Sequence, residues 1–156
     1  MEIPVGHGRV AQVDATDFEM LSHWKWCVNA YGYVRRGVRV GGRQHDVVIH
    51  RQLMLPDPGQ DVDHINGDKL DNRRANLRLC TRKENVQSRR KFRGTSQYKG
   101  VMWDKRNSKW TAKLTTGGKQ FYLGLFCEEA DAARAYDAKA RELYGRFARP
   151  NFEVEQ

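Results

Sequence analysis

Residues 63–85 read DHINGDKLDNRRANLRLCTRKEN, and the fold turns on how this run is built. Asp61 to Ile65 has the character of a short strand, and Asn66-Gly67 is a tight-turn dipeptide. Leu70 to Arg74 reads as a loop. Asn76 to Cys80 reads as a second strand, with Leu77 and Leu79 on one face. Thr81 followed three residues later by Glu84 is a capping box, which marks the start of a helix. The expected order is strand, loop, strand, helix, with a carboxylate, an imidazole and several amides gathered on it.

Those residue types suit the cutting of a phosphodiester. That chemistry needs a base to activate water, a cation to offset charge on the phosphoryl and leaving oxygens, and a rigid scaffold. Asp63 and His64 are neighbours on a strand, so they point to opposite faces unless the strand ends there; the Asn66-Gly67 turn allows that ending. Asn85, in the first turns of the helix, can face back toward the strand end. One carboxylate and one amide oxygen are too few for a closed cation cage, but Mg²⁺ commonly keeps waters and takes substrate phosphates as ligands.

Working outward, the charge is segregated. The chain of 156 residues carries a net charge of +9. Between Arg82 and Lys119 twelve Lys/Arg stand against only Glu84 and Asp104, a net of +10 that leaves −1 for everything else. A cationic block on a near-neutral body is the footprint of a polyanion binder, and Phe92, Tyr98, Trp103 and Trp110 are interleaved through it. No run approaches the ~18 apolar residues of a membrane span, and MEIPVGHGRVAQVD lacks the apolar stretch of a signal peptide. The expectation is a cytoplasmic protein, in the host cell's cytoplasm if phage-encoded. Cys27, Cys80 and Cys127 form no Cys-x-x-Cys pair, which excludes zinc ribbons and fingers and leaves buried free thiols as the expectation.

Upstream, residues 3–51 read as a β-rich unit. DATDFEMLSHW forms a short helix capped by Asp14 or Thr16; WKWCVNAYGYVRR turns at Asn29 to Gly32; VRVGGRQHDVVIHRQLM is a hairpin about Gly41-Gly42; and Pro56-Asp57-Pro58-Gly59 breaks the chain. Downstream, residues 88–97 are a basic linker. Tyr98 to Trp103, Lys109 to Thr115 and Gln120 to Phe126 read as consecutive strands. Glu128 to Tyr144 is a helix ended by Gly145, with Ala132, Ala135, Tyr136, Ala140 and Leu143 forming a flat face for the sheet.

The run from Asp63 to Asn85 resembles the HNH endonuclease motif, in the version common among phage and intron-encoded homing endonucleases. The Asp-His pair, the Asn twelve residues after the His and the Asn twenty-one after it match that family's spacing, IHRQLM and NLR resemble its flanks, and the likeness covers about residues 45–92. VDATDFEMLSHWKW is similar to the segment that often precedes the motif in phage proteins. The resemblance implies that His64 is the general base, that Asp63 and Asn85 hold one divalent cation, and that Asn76 braces the loop and keeps His64 oriented. The helix near Thr81 would complete a ββα-metal fold. Asn85, where the family's namesake has His, favours Mg²⁺ or Mn²⁺ over zinc. His50 is a second candidate participant, while His7, His23 and His45 have no identifiable partners.

Residues 97–152 resemble the plant ethylene-response-factor (APETALA-type) DNA-binding domain through YKGV, KWTAKL, YLGLF, EEADAARAYDAKA and the closing NF. That likeness implies a three-stranded sheet lying in the major groove with a helix bracing its back. It puts Lys99, Trp103, Lys105, Arg106, Lys109, Lys113 and Lys119 against DNA; apart from the likeness, Trp110 and Phe126 read as core. Met102 and Thr115 stand where the plant family has arginines, Asp104 where a basic residue is usual, and the first turn is one residue longer, so docking carries over better than the target sequence.

The expectation is an α+β protein. A β-rich unit leads into the nuclease motif (residues 1–87, motif core 61–90), followed by a basic linker (88–97) and a three-stranded antiparallel sheet packed on one helix (98–152). The expected activity is site-specific, divalent-metal-dependent cleavage of double-stranded DNA, with Arg89, Arg90, Lys91 and Arg93 tracking phosphates. A monomer is expected, with a dimer as the alternative, and no membrane. A non-catalytic DNA-binding regulator that keeps the hairpin as scaffold is the second reading. An RNA-directed role, which would call for a single-strand stacking surface, is the third.

Overall fold

The computed structural model describes residues 1–87 and 95–152 and contains two compact units, divided after Arg82. Arg89, Arg90, Lys91 and Arg93 lie outside the described residues. Among the described residues no helix is long and apolar enough to cross a membrane.

The first unit assembles short elements in the order β1 (Glu2–Pro4), β2 (Val10–Gln12), α1 (Ala15–Ser22), β3 (Cys27–Val28), β4 (Val34–Val40), β5 (Arg43–Val48), α2 (Ile49–Met54), β6 (Gln60–His64) and β7 (Leu77–Thr81). They form antiparallel pairs β1-β2 and β6-β7 and a sheet β3-β4-β5. Gly41 and Gly42 join β4 to β5 with φ of 56° and 77°, the left-handed pair a two-residue hairpin turn requires. Val5, Val13, Leu21, Val34 and Ile49 are almost fully buried at the centre of one apolar cluster.

Two local expectations are corrected. Asp14 stands at the N-cap of α1 but makes no side-chain cap bond. Its Oδ2 instead accepts the backbone N–H of Arg74 at 2.7 Å, so a tertiary donor has replaced the local one. Leu77 and Leu79 do share a face of β7, Leu77 buried and Leu79 38% exposed, and the buried Cys80 thiol donates to the Asp61 carbonyl. Cys80 is the buried thiol; Cys27 and Cys127 are exposed.

Helix α3 (Arg82–Gln87) follows β7 directly and carries the chain past the division. In the second unit β8 (Val101–Asp104), β9 (Lys109–Thr116) and β10 (Lys119–Phe126) form one antiparallel sheet in the order β10-β9-β8, and α4 (Glu129–Tyr144) packs on it. Ala132, Ala133, Tyr136 and Ala140 are the buried helix residues against Val101, Ala112 and Leu114, whereas Leu143 is 38% exposed. Small side chains let helix and sheet approach closely. Gly100 marks the closest point: its φ is +77° and an added Cβ would lie 2.0 Å from the Tyr136 ring. That left-handed residue breaks the extended backbone, so the first strand starts at Val101 and not at Tyr98. Asp137, 1% exposed, accepts from the Asn151 backbone (2.7 Å) and amide (2.9 Å) and from the Phe152 N–H (2.9 Å). Asn151 in turn brackets Lys99, accepting its N–H and donating to its carbonyl, which ties the two ends of the unit together.

Candidate active site and DNA-facing sheet

β6 ends at His64. The Gly67 N–H donates to the His64 carbonyl at 2.8 Å, closing the turn that the Asn66-Gly67 pair signals. Ile65 N–H then bonds the Asn76 carbonyl, so the loop between is a closed excursion from one strand to the other. Polar side chains fill it. Asn76 accepts the Asn66 N–H through Oδ1 (2.9 Å) and donates through Nδ2 to the Asp71 carbonyl (2.8 Å). Asp71, 3% exposed, takes the Asn66 amide and a two-point contact from Arg73, whose hydrogen bonds hold its carboxyl below the usual range despite burial. Arg74 clamps the loop to the rest of the unit, with two 2.8 Å bonds to Asp17 on α1 and one of 3.1 Å to the Leu53 carbonyl on α2.

His64 is 4% exposed. Its Nε2 lies 3.2 Å from Oδ1 of Asn72, which is itself completely buried. The amide at the imidazole is therefore Asn72 and not Asn76, whose two polar ends are committed to Asn66 and Asp71. The His50 ring meets His64 edge-on with centroids 5.1 Å apart, and Tyr33 lies 5.1 Å from His50 and 6.2 Å from His64. The Lys69 ammonium lies over the Tyr33 ring, 4.3 Å from its centroid. Burial depresses both imidazoles. His50 falls to about 3, through desolvation first and the neighbouring His64 and Arg51 charges second. His64 also lies below its ordinary value, with desolvation outweighing the opposing pull of Asn72 and Asp63. A neutral imidazole at neutral pH is what a base requires.

Asp63 is buried and sits directly opposite Arg78 in the β6-β7 register; Oδ2 accepts from Arg78 at 2.6 and 3.0 Å. The sequence reading missed this partner, although a two-stranded pairing of residues 61–65 with 76–80 would have found it. Asn85 stands on α3, half-buried, beyond the division between the units. Among the described residues no group of three or more His, Cys, Asp or Glu is disposed to hold a metal ion.

In the second unit the register sorts the expected DNA contacts. Val101, Ala112 and Leu114 face α4, so Met102, Thr111 and Lys113 lie on the opposite face, where Lys113 pairs with Tyr122. Met102 (51%) and Tyr122 (60%) are exposed there. Lys105, Arg106 and Lys109 sit on or beside the β8-β9 turn, exposed, the turn being tied by Asp104 to Arg106 and Asn107. Trp103 falls on the α4-facing side of β8, edge-on to Trp110 at 5.0 Å and 38% exposed. The ammonium groups of Lys99 and Lys119 lie over Tyr136 and Phe121, rings that pack in the helix-side core. Lys99 is pressed down to about 8 by burial and then by Arg149. Trp103, Lys99 and Lys119 are thus set apart from the open face. Trp110 and Phe126 pack against the core as partly buried residues.

A family model described as HNH endonuclease matches residues 54–87, and one described as AP2 domain matches residues 96–146. An uncharacterized HNH endonuclease, L560, of Acanthamoeba polyphaga mimivirus is 30% identical over 148 residues, covering 94% of this chain and 76% of the viral protein. The chain belongs to the HNH endonuclease family. It joins that nuclease motif to an AP2 DNA-binding domain. The AP2-like ethylene-responsive transcription factor PLT2 of Arabidopsis thaliana is 41% identical over 85 residues, and APETALA2-like protein 2 of Oryza sativa subsp. indica is 46% identical over 63. The chain spans only 15% and 14% of those plant proteins, so the likeness to them is one of a module.

Proposed function

We propose that this HNH endonuclease is a site-specific, homing-type enzyme that hydrolyses DNA phosphodiesters with a divalent cation, His64 acting as general base. The observation that carries the reading is the setting of His64: buried, uncharged at neutral pH, ring-clamped by His50 and Tyr33, and adjacent to the Asp63 carboxylate. His64 takes a proton from water as the water oxygen bonds to phosphorus. The P–O ester bond breaks, and the leaving oxygen takes a proton from solvent. The Asp63 carboxylate would supply a protein oxygen to the cation. An oxygen donor with no sulfur suits Mg²⁺ or Mn²⁺, which retain waters and bind substrate phosphate. When bound, the cation offsets charge growing on the phosphoryl and leaving oxygens. Arg78 fixes the rotamer of the carboxylate from the side, and Asn76 keeps the loop closed.

In this reading residues 1–87 carry the chemistry and residues 98–152 set the register on the duplex. The open sheet face with Met102, Lys113 and Tyr122 enters the major groove, the turn cations Lys105, Arg106 and Lys109 meet phosphates, and the basic stretch 88–97 follows the backbone. The enzyme acts as a monomer. Supercoiled-plasmid cleavage in Mg²⁺, Mn²⁺ or EDTA, by the wild type and His64→Ala, tests this. Metal-dependent nicking that disappears in the variant is expected. Tight binding without cleavage by the wild type, on DNA from its native source as well, would return the protein to the regulator reading.

A further inference from the structure

We propose that Asn72 is the positioning residue for His64: its carboxamide oxygen accepts the Nε2–H of the imidazole, so the lone pair that meets water is on Nδ1. The inference rests on the reading of His64 as the base and names the residue and the nitrogen through which it works.

The orientation of the Asn72 amide follows from its surroundings. One end lies 3.3 Å from the Lys69 carbonyl and 3.2 Å from the Leu70 carbonyl. Carbonyl oxygens only accept, so that end is the NH₂ and the end facing His64 is oxygen. Amide oxygen also only accepts, so the imidazole nitrogen opposite it, Nε2 at 3.2 Å, must carry the proton. In a neutral ring Nδ1 is then the basic nitrogen.

Asn72 is also held firmly enough to impose this. Its own N–H donates to Gln12 of β2 at 2.8 Å, the Gln12 N–H donates back to Leu70 at 2.8 Å, and the side chain is fully buried. Asn76 is unable to take the role, because its oxygen is on Asn66 and its nitrogen on Asp71. His50 and Tyr33 restrain the plane of the His64 ring, and Asn72 fixes its rotation and tautomer.

The test uses the full-length, metal-free, ¹⁵N-labelled protein at pH 7.5, with long-range ¹H–¹⁵N correlations reading the His64 tautomer. A single Nε2–H form with a solvent-protected proton is expected. Asn72→Leu, of similar size without an acceptor, should lose that protection and lower kcat on the order of 100-fold, with KM within about twofold. Asn72→Asp, which keeps an oxygen there, should retain the protected proton. A wild-type His64 protonated on Nδ1 overturns the proposal without any variant being needed. So does a folded Asn72→Leu that keeps both the protected proton and kcat. Failure of the base reading shows differently: His64→Ala would still cleave while the wild-type tautomer stood as expected.

Discussion

The two units solve opposite problems. In the first, a largely polar loop is made rigid by turning its amides and carboxylates inward: Asn66, Asp71, Asn72 and Asn76 bond one another or the backbone, and Arg74 bolts the loop to α1 and α2. In the second, rigidity comes from close apolar contact between an alanine-lined helix and a sheet, which leaves the other face of the sheet open. Chemistry needs a base held at one place in a partly dehydrated setting, whereas groove reading needs side chains that stand clear of the fold. On the proposed reading, the first unit spends its polar groups on structure and the second displays them.

The sharpest break of that comparison is His64→Ala. A positioned base contributes about 10²–10⁴-fold, so plasmid nicking should fall by on the order of 10³ while a gel-shift affinity for the same DNA stays within about twofold. An equal loss of binding would mean that His64 supports the fold or the DNA and not the reaction.

Next in size is Gly100→Ala. The added methyl collides with Tyr136 and the residue is forced to hold φ near +77°, so the second unit should lose roughly 3 kcal/mol or more. Hydrogen exchange should show lost protection in β8–β10 and α4. Unchanged protection would mean the helix can retreat from the sheet at little cost, against the account of close packing given above.

The polar loop should fail by a different route. Arg74→Ala leaves Asp17, 7% exposed, without its two-point partner and frees a bond to Leu53. A loss of about 2–3 kcal/mol in urea unfolding is expected, and Asp17→Asn in the same background should restore part of it.

Acid should weaken the first unit for a related reason. In the unfolded chain His50 takes up a proton near 6.5, but in the folded protein only near 3. Between those values the unfolded state binds more protons, so stability is full above pH 6.5 and declines as pH falls toward 3. His64 acts in the same direction. His50 alone should cost a few kcal/mol by pH 4.5, at up to about 1.4 kcal/mol per pH unit. His50→Phe, which keeps a ring beside Tyr33 and His64, should lower the slope of unfolding free energy against pH between 6.5 and 4.5. A slope the same as wild type would show that His50 is not the titrating group.

Much of this was legible in the primary structure, and the parts that were not share a cause. Gly41-Gly42, Asn66-Gly67 and the alternation of β9 and β10 are local signals, and the elements they predict are present. The spacing of Asp63, His64, Asn76 and Asn85 marked the motif that places the chain in its family. Which of two nearby asparagines meets the imidazole was not legible. Asn72 and Asn76 lie on the same polar loop, and the choice depends on β2, which anchors Asn72 from sixty residues away. Tyr33 and His50 reach His64 through a core that no spacing rule describes. The side on which Trp103 stands was not legible either, because the side of a short edge strand depends on where its register begins, and Gly100 sets that start at Val101.

The smallest effect is also the most discriminating for the second unit. Lys113 lies on the open face with Tyr122, while the ammonium of Lys99 lies over Tyr136 on the helix side. If that face enters the groove, Lys113→Ala should lower affinity by about 1 kcal/mol and reduce the slope of log K against log salt by about 1, the release of one phosphate contact. Lys99→Ala should leave the slope unchanged, whatever it does to stability. Titrations at four salt concentrations on each variant separate the cases. Equal slopes for wild type and Lys113→Ala, with a reduced slope for Lys99→Ala, would put the DNA on the other edge of the unit. The resemblance to the plant module would then hold for its fold and not for its docking.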